Sequence, residues 1–495
     1  MKKLLPAILF LFYLDCLEAQ IITEKKEKHS FDLVASTAIY VDTAEETLVI
    51  KSATLLQQDI EAVTGKHLPL VHSVGQAEKN MILVGTIGRS SLLKKITAAG
   101  KIKASLQGRW EAYHLQTIAK PLRGIENILI IAGSDRRGTA YGVFELSRQI
   151  GVSPWYWWAD VPVQKKPNLY IKKLVTFNDA PRVKYRGIFI NDEAPALSNW
   201  SKERFGGFNH AFYEKVFELM LRLKANYLWP AMWGNAFYDD DSLNIKTADD
   251  YGIVIGTSHH EPLMRAHDEW RRYGQGKWNY DSNAAKLREF WRKGLERATN
   301  EKIVSVGMRG DGDEPMTRET ATALLEKIVK DQRQIIEKVT GLPASQTPQL
   351  WALYKEVQDY YDKGMRVPDD VTLLLCDDNW GNIRKLPKLH ERKQKGGYGI
   401  YYHFDYVGGP RNYKWLNTNN LARVSEQMHL AYRYGVDRIW IVNVGDIKPM
   451  ELPISFFLDY AWNPNRWNED NLRNYYTSWA AEQFGPAYSK VIGDV

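Results

Sequence analysis

Apolar positions along this chain follow two rhythms that change near residue 180. Before it, short β-branched or aromatic runs bounded by polar turns read as strands: Ala38–Asp42, Met81–Gly85, Trp110–Leu115 and Asn127–Ala132. Helical spacing covers Gln57–Thr64 and Gly138–Ile150. In the second, Ala140, Val143, Phe144 and Leu146 share one side, and Gly151 ends it. Asn178-Asp-Ala-Pro-Arg182 is a turn-rich boundary. From residue 183 the order becomes strand, polar loop, amphipathic helix, repeated. The predicted strands are Tyr185–Ile190, Ala225–Trp229, Gly252–Gly256, Ile303–Met308, Thr372–Cys376, Gly399–His403 and Asp437–Val442, with an eighth beginning near Phe456. The predicted helices include Ala211–Lys224, Ala284–Ala298, Thr317–Thr340, Pro348–Lys363 and Asn420–Tyr434.

Alternating strands and helices argue for an α/β fold with parallel strands and crossover helices. About eight units over roughly 280 residues suit a (β/α)8 barrel. A doubly wound open sheet is the alternative, but no Gly-rich dinucleotide fingerprint follows any strand. The chain thus divides into a leader (1–19), a small α/β domain (20–178), a barrel (179–467) and the start of a C-terminal helical region (468–495).

The leader rests on Met1-Lys2-Lys3, an apolar run from Leu4 to Leu14 too short to span a bilayer, and Ala19 at a plausible cut. Export to the periplasm or exterior is expected, with no membrane span in the mature chain. Removing the leader also removes Cys16 and leaves only Cys376, so the fold has no intrachain disulfide to draw on. The balance of 25% charged and 44% apolar residues is that of a globular protein. The net charge of +7 comes without a dense basic block, so nucleic acid is not an expected partner. Aromatic residues are numerous, with 17 Trp, 27 Tyr and 16 Phe. Such rings stack on sugars as well as fill cores.

In a parallel barrel, functional groups gather at the C-terminal ends of the strands. Here those ends carry Asn191-Asp192-Glu193, Trp229 and Trp233, His259-His260-Glu261, Arg309 with Asp311, Asp313 and Glu314, Asp377-Asp378-Asn379, Tyr401-Tyr402-His403, and Asn443 with Asp446. Like charges held close raise each other's pKa, so scaffolding gains little from crowding carboxylates at one rim. Sugar hydrolysis uses such a crowd. One carboxylic acid protonates the leaving oxygen, another group activates water or attacks the anomeric carbon, and aromatic rings stack on the sugar. Asp239-Asp240-Asp241 reads as a loop and helix start rather than a calcium site. A zinc site is not expected, because His259-His260-Glu261 lacks ligand spacing and neighbours on an extended chain point to opposite sides. A serine-hydrolase elbow is absent.

Several stretches closely resemble glycoside hydrolase family 115, the xylan α-1,2-glucuronidases. They are Tyr185–Glu193, Ala225–Trp233, Gly256–Pro262, Gly307–Glu314, Tyr354–Val357, Cys376–Gly381 and Tyr401–Phe404, in that order. Ala132–Gly142 resembles the accessory domain that precedes several hexosaminidase and glucuronidase barrels. The resemblance implies a catalytic (β/α)8 barrel, inversion at the anomeric carbon, and release of (4-O-methyl)glucuronic acid from glucuronoxylan or its oligosaccharides. It further implies C-terminal helical and β-sandwich domains and allows a homodimer. No cofactor is implied.

The resemblance also singles out Glu356 as a candidate catalytic carboxylate. By spacing alone that residue is a solvent-facing flank of the helix carrying Leu350, Leu353, Val357 and Tyr361. The roles it supports are Glu356 as acid, in an apolar setting near Val357 and Tyr360, and Asp313 as base, with Asp192 and Asp377 in reserve. Arg309 is expected to grip the uronate carboxylate, with His259 and His260 as further donors. Trp229, Trp233, Tyr401 and Tyr402 are candidate platforms, and Asn191, Asn379 and His403 candidate hydroxyl partners. Two other readings stand beside it. One is a substrate-assisted hexosaminidase using Asp313-Glu314 or Asp377-Asp378. The other is a non-catalytic glycan-binding protein on the same scaffold.

Overall fold

The computed structural model describes residues 20–102, 106–192, 194–316, 322–388, 394–406 and 416–495. The expected leader, Glu193 and residues 317–321 lie outside the described residues.

The N-terminal part is a six-stranded sheet of β1 (Thr37–Val41), β2 (Leu70–Val71), β3 (Asn80–Thr86), β4 (Tyr113–Leu122), β5 (Ile125–Gly133) and β6 (Thr176–Asp179). Its order is β2-β1-β3-β5-β4-β6. The first four strands in that order run parallel, and the β5-β4 and β4-β6 pairs are antiparallel. The strand predicted at Trp110 starts instead at Tyr113 and extends to Leu122. It is one arm of a hairpin closed through Arg123-Gly124, where Gly124 has φ +85°. Helix α1 (Thr47–Thr64) is more than twice as long as the apolar spacing predicted, and α2 (Arg136–Ile150) starts where Asp135 accepts the Gly138 N–H at 2.9 Å.

The second part is a curled, wholly parallel sheet of β7 (Tyr185–Phe189), β8 (Tyr227–Trp229), β9 (Val254–Ile255), β10 (Val304–Ser305), β11 (Gln349–Ala352), β12 (Thr372–Cys376), β13 (Tyr398–His403) and β14 (Ile439–Asn443). The order β9-β8-β7-β14-β13-β12-β11-β10 follows the chain around the curl. Its two ends meet through a parallel bridge between Ile255 and Lys302, in which Ile255 donates to Glu301 O and Ile303 to Ile255 O. Gly187 permits the β7–β8 approach, since a Cβ there would lie 1.7 Å from Tyr227 O.

The eighth strand is not at Phe456. That segment is the helix Glu451–Trp462, and the missing strand is β11, inside the predicted helix Pro348–Lys363. Only its second half is helical, as Glu356–Asp362. A short strand buried on both faces has no alternation to mark it.

Tyr185, Phe189, Tyr227, Trp229, Leu350 and Tyr401 belong to a core cluster inside the curl. The two sheets are joined by a buried ionic network. Glu111, fully buried, bonds Arg137 (2.5 Å), Arg186 (2.6 Å) and the Asn226 amide (2.8 Å), and Arg137 continues to Glu301 (2.6 Å). Among the described residues no helix is long and apolar enough to cross a membrane. Cys376 is buried and free.

Candidate active site

Side chains that follow the C-terminal ends of the strands meet around Arg309, which is 2% exposed. Its Nε and one terminal nitrogen donate to the two Glu356 carboxylate oxygens at 2.9 and 2.7 Å. Its other terminal nitrogen reaches both the backbone oxygen and the carboxylate of Asp313. Four of the five guanidinium N–H groups are therefore committed, so the expected two-pronged grip on a substrate carboxylate is reduced to one free N–H.

Glu356 is not a solvent-facing flank. Because β11 is a strand, Glu356 stands at its C-terminal end, as the first residue of the following helix. Val357 and Tyr360 turn into the core, but the neighbour of the Glu356 carboxylate is the Arg309 cation rather than an apolar pocket. Lys355, just before it, holds φ +48° and ψ −123°, and Arg384 donates to its carbonyl at 3.2 Å. Asp313 also has a positive φ, +65°. Strained non-glycine backbone collects at sites where geometry is over-determined.

His259 and His260 do not diverge as extended neighbours would. His259 Nε2 lies 3.0 Å and His260 Nδ1 3.4 Å from the same Asp313 oxygen. Ser258 Oγ lies 3.1 Å from His259 Nδ1 and 3.3 Å from His260 Nδ1. Burial lowers the pKa of both rings, that of His260 to about 3. Burial opposes the charge on Asp313, but His259, His260 and Arg309 overcome it and hold its carboxyl well below the usual range. The ligand atoms of His259, His260 and Asp313 all lie within 4.8 Å of one another, close enough to share a metal ion. A cation there would share the Asp313 oxygen with the Arg309 guanidinium, which disfavours it.

The reserve acids are engaged. Asp192 accepts the Ser198 N–H at 3.2 Å. Asp377 meets His403 Nδ1 at 2.5 Å and accepts the His403 N–H at 3.2 Å. Of the candidate platforms, Trp229, Tyr401 and Tyr402 are core residues, at 0, 2 and 1% exposure. Trp229 donates to Tyr227 Oη at 2.6 Å and its ring packs on Phe189 and Tyr401. Trp233 is at the surface, 37% exposed, stacked on His260 and donating to Asn191 Oδ1 at 3.0 Å. Asn379, at φ +64°, keeps a buried Oδ1 with no hydrogen-bond partner among the described residues, an acceptor suited to a ligand hydroxyl.

Two further members of the cluster, Tyr354 and Glu261, lie in stretches that the sequence singles out but carry no role there. Tyr354 packs its ring 4.4 Å from that of His259 and lies under the Arg309 guanidinium. It follows the strand Gln349–Ala352, whose helix-like apolar spacing hides this rim position in the sequence. Glu261 is buried, accepts the His267 and Ser258 N–H groups, and is pushed up to about 8 by burial. The sequence puts it at a strand end beside His259 and His260, and only the fold shows it buried.

A parallel α/β sheet with paired carboxylates on one rim defines the class of protein here, that of barrel-type glycoside hydrolases. The profile of glycosyl hydrolase family 115 matches residues 178–495, and the chain belongs to that family. A second profile, for the outer domain of an S-layer like family, matches residues 14–150. No curated protein matches. Among solved structures, the chain is similar to a family 115 4-O-methyl-α-glucuronidase with specificity for decorated arabinogalactans. The two share 37% identity at a TM-score of 0.86, over 94% of this chain and 61% of that one. The chain thus spans about three-fifths of that relative's length. An enzyme of family 138 targeting pectin rhamnogalacturonan II is 14% identical, with a TM-score of 0.56 over 92% of this chain and 54% of that one. A Streptomyces plicatus β-hexosaminidase is 11% identical, with a TM-score of 0.55 over 94% and 93%. These last two share the fold alone.

Proposed function

We propose that this chain carries the catalytic part of an exported, inverting α-glucuronidase on a (β/α)8 barrel. It removes α-1,2-linked (4-O-methyl)glucuronic acid from glucuronoxylan. The observation that carries this reading is the single guanidinium bridging Glu356 and Asp313 at the strand ends of a family 115 chain.

Inversion needs a proton for the leaving oxygen and a base for water on the opposite face of the sugar. Asp313 is the base: His259 and Arg309 fix its carboxylate, which takes a proton from water as the water oxygen bonds to the anomeric carbon. Glu356 is the acid: it leaves its two-pronged pair with Arg309, takes up a proton from solvent, and gives that proton to the glycosidic oxygen as the old C–O bond breaks. Asp192, which accepts the Ser198 N–H, is the reserve carboxylate. Arg309 offers the uronate its remaining N–H, and Asn379 and Trp233 meet the ring.

The arabinogalactan specificity of the 37% identical relative supports a second substrate, decorated arabinogalactan. The hexosaminidase reading has only distant likeness in fold behind it. The test is product release by the purified protein from glucuronoxylan, from decorated arabinogalactan and from an aryl N-acetylglucosaminide. Glucuronic acid from either polysaccharide supports the reading. N-acetylglucosamine alone refutes it, and glycan binding without turnover points to the non-catalytic alternative.

A further inference from the structure

Beside the barrel mouth lies a cleft of about 590 Å³, within the ~300–1,000 Å³ of small-ligand sites. None of the residues assigned above to catalysis lines it. Its apolar wall is Trp157, Trp158 and Trp200. The rings of Trp158 and Trp200 sit 5.6 Å apart, inclined by 40°. Trp158 is fixed by donating to Lys215 O at 3.0 Å, and Trp157 is flanked by the Arg204 and Lys215 cations. Trp200, 36% exposed, has ring surface left for a ligand.

The cleft is built into the site. Asp446 and Lys448 line both it and a small crevice that reaches Asn191 and Asp405 at the strand ends. Trp200 stands on the helix Ala196–Phe205, whose N-terminus is held by Asp446 on the Leu197 N–H and Asp192 on the Ser198 N–H, both at 3.2 Å. The wall is therefore anchored to the residues around the reacting centre.

Its charges also choose a ligand. Asp160 and Asp446 match Arg204 and Lys448 in number, so the lining carries no net charge with which to select a uronate. Aromatic faces with charged groups at their edges suit the C–H faces and hydroxyls of an uncharged sugar. We infer that the Trp157/Trp158/Trp200 cleft is a second glycan subsite, holding neutral sugar residues of the same polysaccharide whose uronic acid is cut at Asp313 and Glu356. The inference rests on the glucuronidase reading for its substrate. The cleft itself is tested by binding, independently of turnover.

Affinity electrophoresis in gels containing glucuronoxylan or arabinogalactan measures the polymer, and hydrolysis of an aryl α-glucuronide measures the centre. Trp200→Ala should weaken binding of one polymer about three- to tenfold, the loss of one aromatic contact, and leave kcat/KM on the aryl glucuronide within about twofold. Trp200→Phe should keep most of the binding. Ala196→Gln, which grows a longer side chain from the cleft wall, should reproduce the loss with Trp200 intact. Unchanged polymer binding in Trp200→Ala and Ala196→Gln overturns the subsite. Equal loss on both substrates also overturns it, because the cleft then only supports the centre. If the native enzyme releases no glucuronic acid, the functional reading fails, yet the electrophoresis still decides the cleft.

Discussion

Arg309 holds two carboxylates within reach of one guanidinium, and the chemistry turns on telling those two apart. Asp313 meets His259, His260 and Arg309, whereas Glu356 meets Arg309 through both of its oxygens. Asp313→Asn should lose about 10²- to 10⁴-fold in kcat on every glucuronide, since the attacking water keeps no base. Glu356→Gln should fail on xylan-derived glucuronides but retain much of its activity on an aryl glucuronide with a good leaving group. Near-full activity of Glu356→Gln on the natural oligosaccharide would send the search for the acid to Asp192 or Asp377. Arg309→Ala should cost glucuronide turnover about 10- to 100-fold more than turnover of the matching glucoside, the value of a charged hydrogen bond. An equal loss on both would show that Arg309 serves only Glu356 and Asp313.

At the scale of elements, the loop from Ser258 to His267 depends on one buried acid. Glu261 has its pKa raised from 4.5 to about 8 by burial, so the folded chain keeps a proton that the unfolded chain releases. Its native form therefore loses stability as pH rises from about 4.5 to about 8, on the order of a few kcal/mol. Glu261→Gln, which imitates the protonated acid, should be close to neutral at pH 5 and raise Tm relative to wild type at pH 8 to 9. Thermal melts across that range check it, and a parallel pair of curves would contradict it.

The same scale shows what could be read from the chain. Seven of the eight curled-sheet strands announce themselves as apolar runs between turns, and they correctly place His259, Arg309 and Asp377 at the rim. The strand Gln349–Ala352 does not, because Leu350, Leu353 and Val357 also fit a helical stripe. A helical stripe there takes Tyr354 off the rim and, by spacing alone, turns Glu356 outward. Burial fractions were likewise illegible. Trp229 and Trp233 look alike in the chain, and only the fold makes one core and the other rim.

At the scale of the molecule, Glu111 ties the N-terminal sheet to the curled one. It is fully buried and faces Arg137 and Arg186, with Asn226 beside it. Glu111→Ala should destabilise the chain by about 3–5 kcal/mol, because two buried guanidinium groups lose their shared counter-charge. Denaturant unfolding would measure this, and a loss under about 1 kcal/mol would mean that water or backbone carbonyls replace the carboxylate.

The central claim is an inverting displacement by water held at Asp313 while Glu356 protonates the leaving sugar. Proton NMR of the anomeric signal during the first minutes of glucuronoxylan or arabinogalactan hydrolysis tests it most directly. The account predicts that β-configured (4-O-methyl)glucuronic acid appears first from the α-linkage and mutarotates later, with no such product from Asp313→Asn. Initial release of the α-anomer, or an undiminished signal from Asp313→Asn, would contradict it.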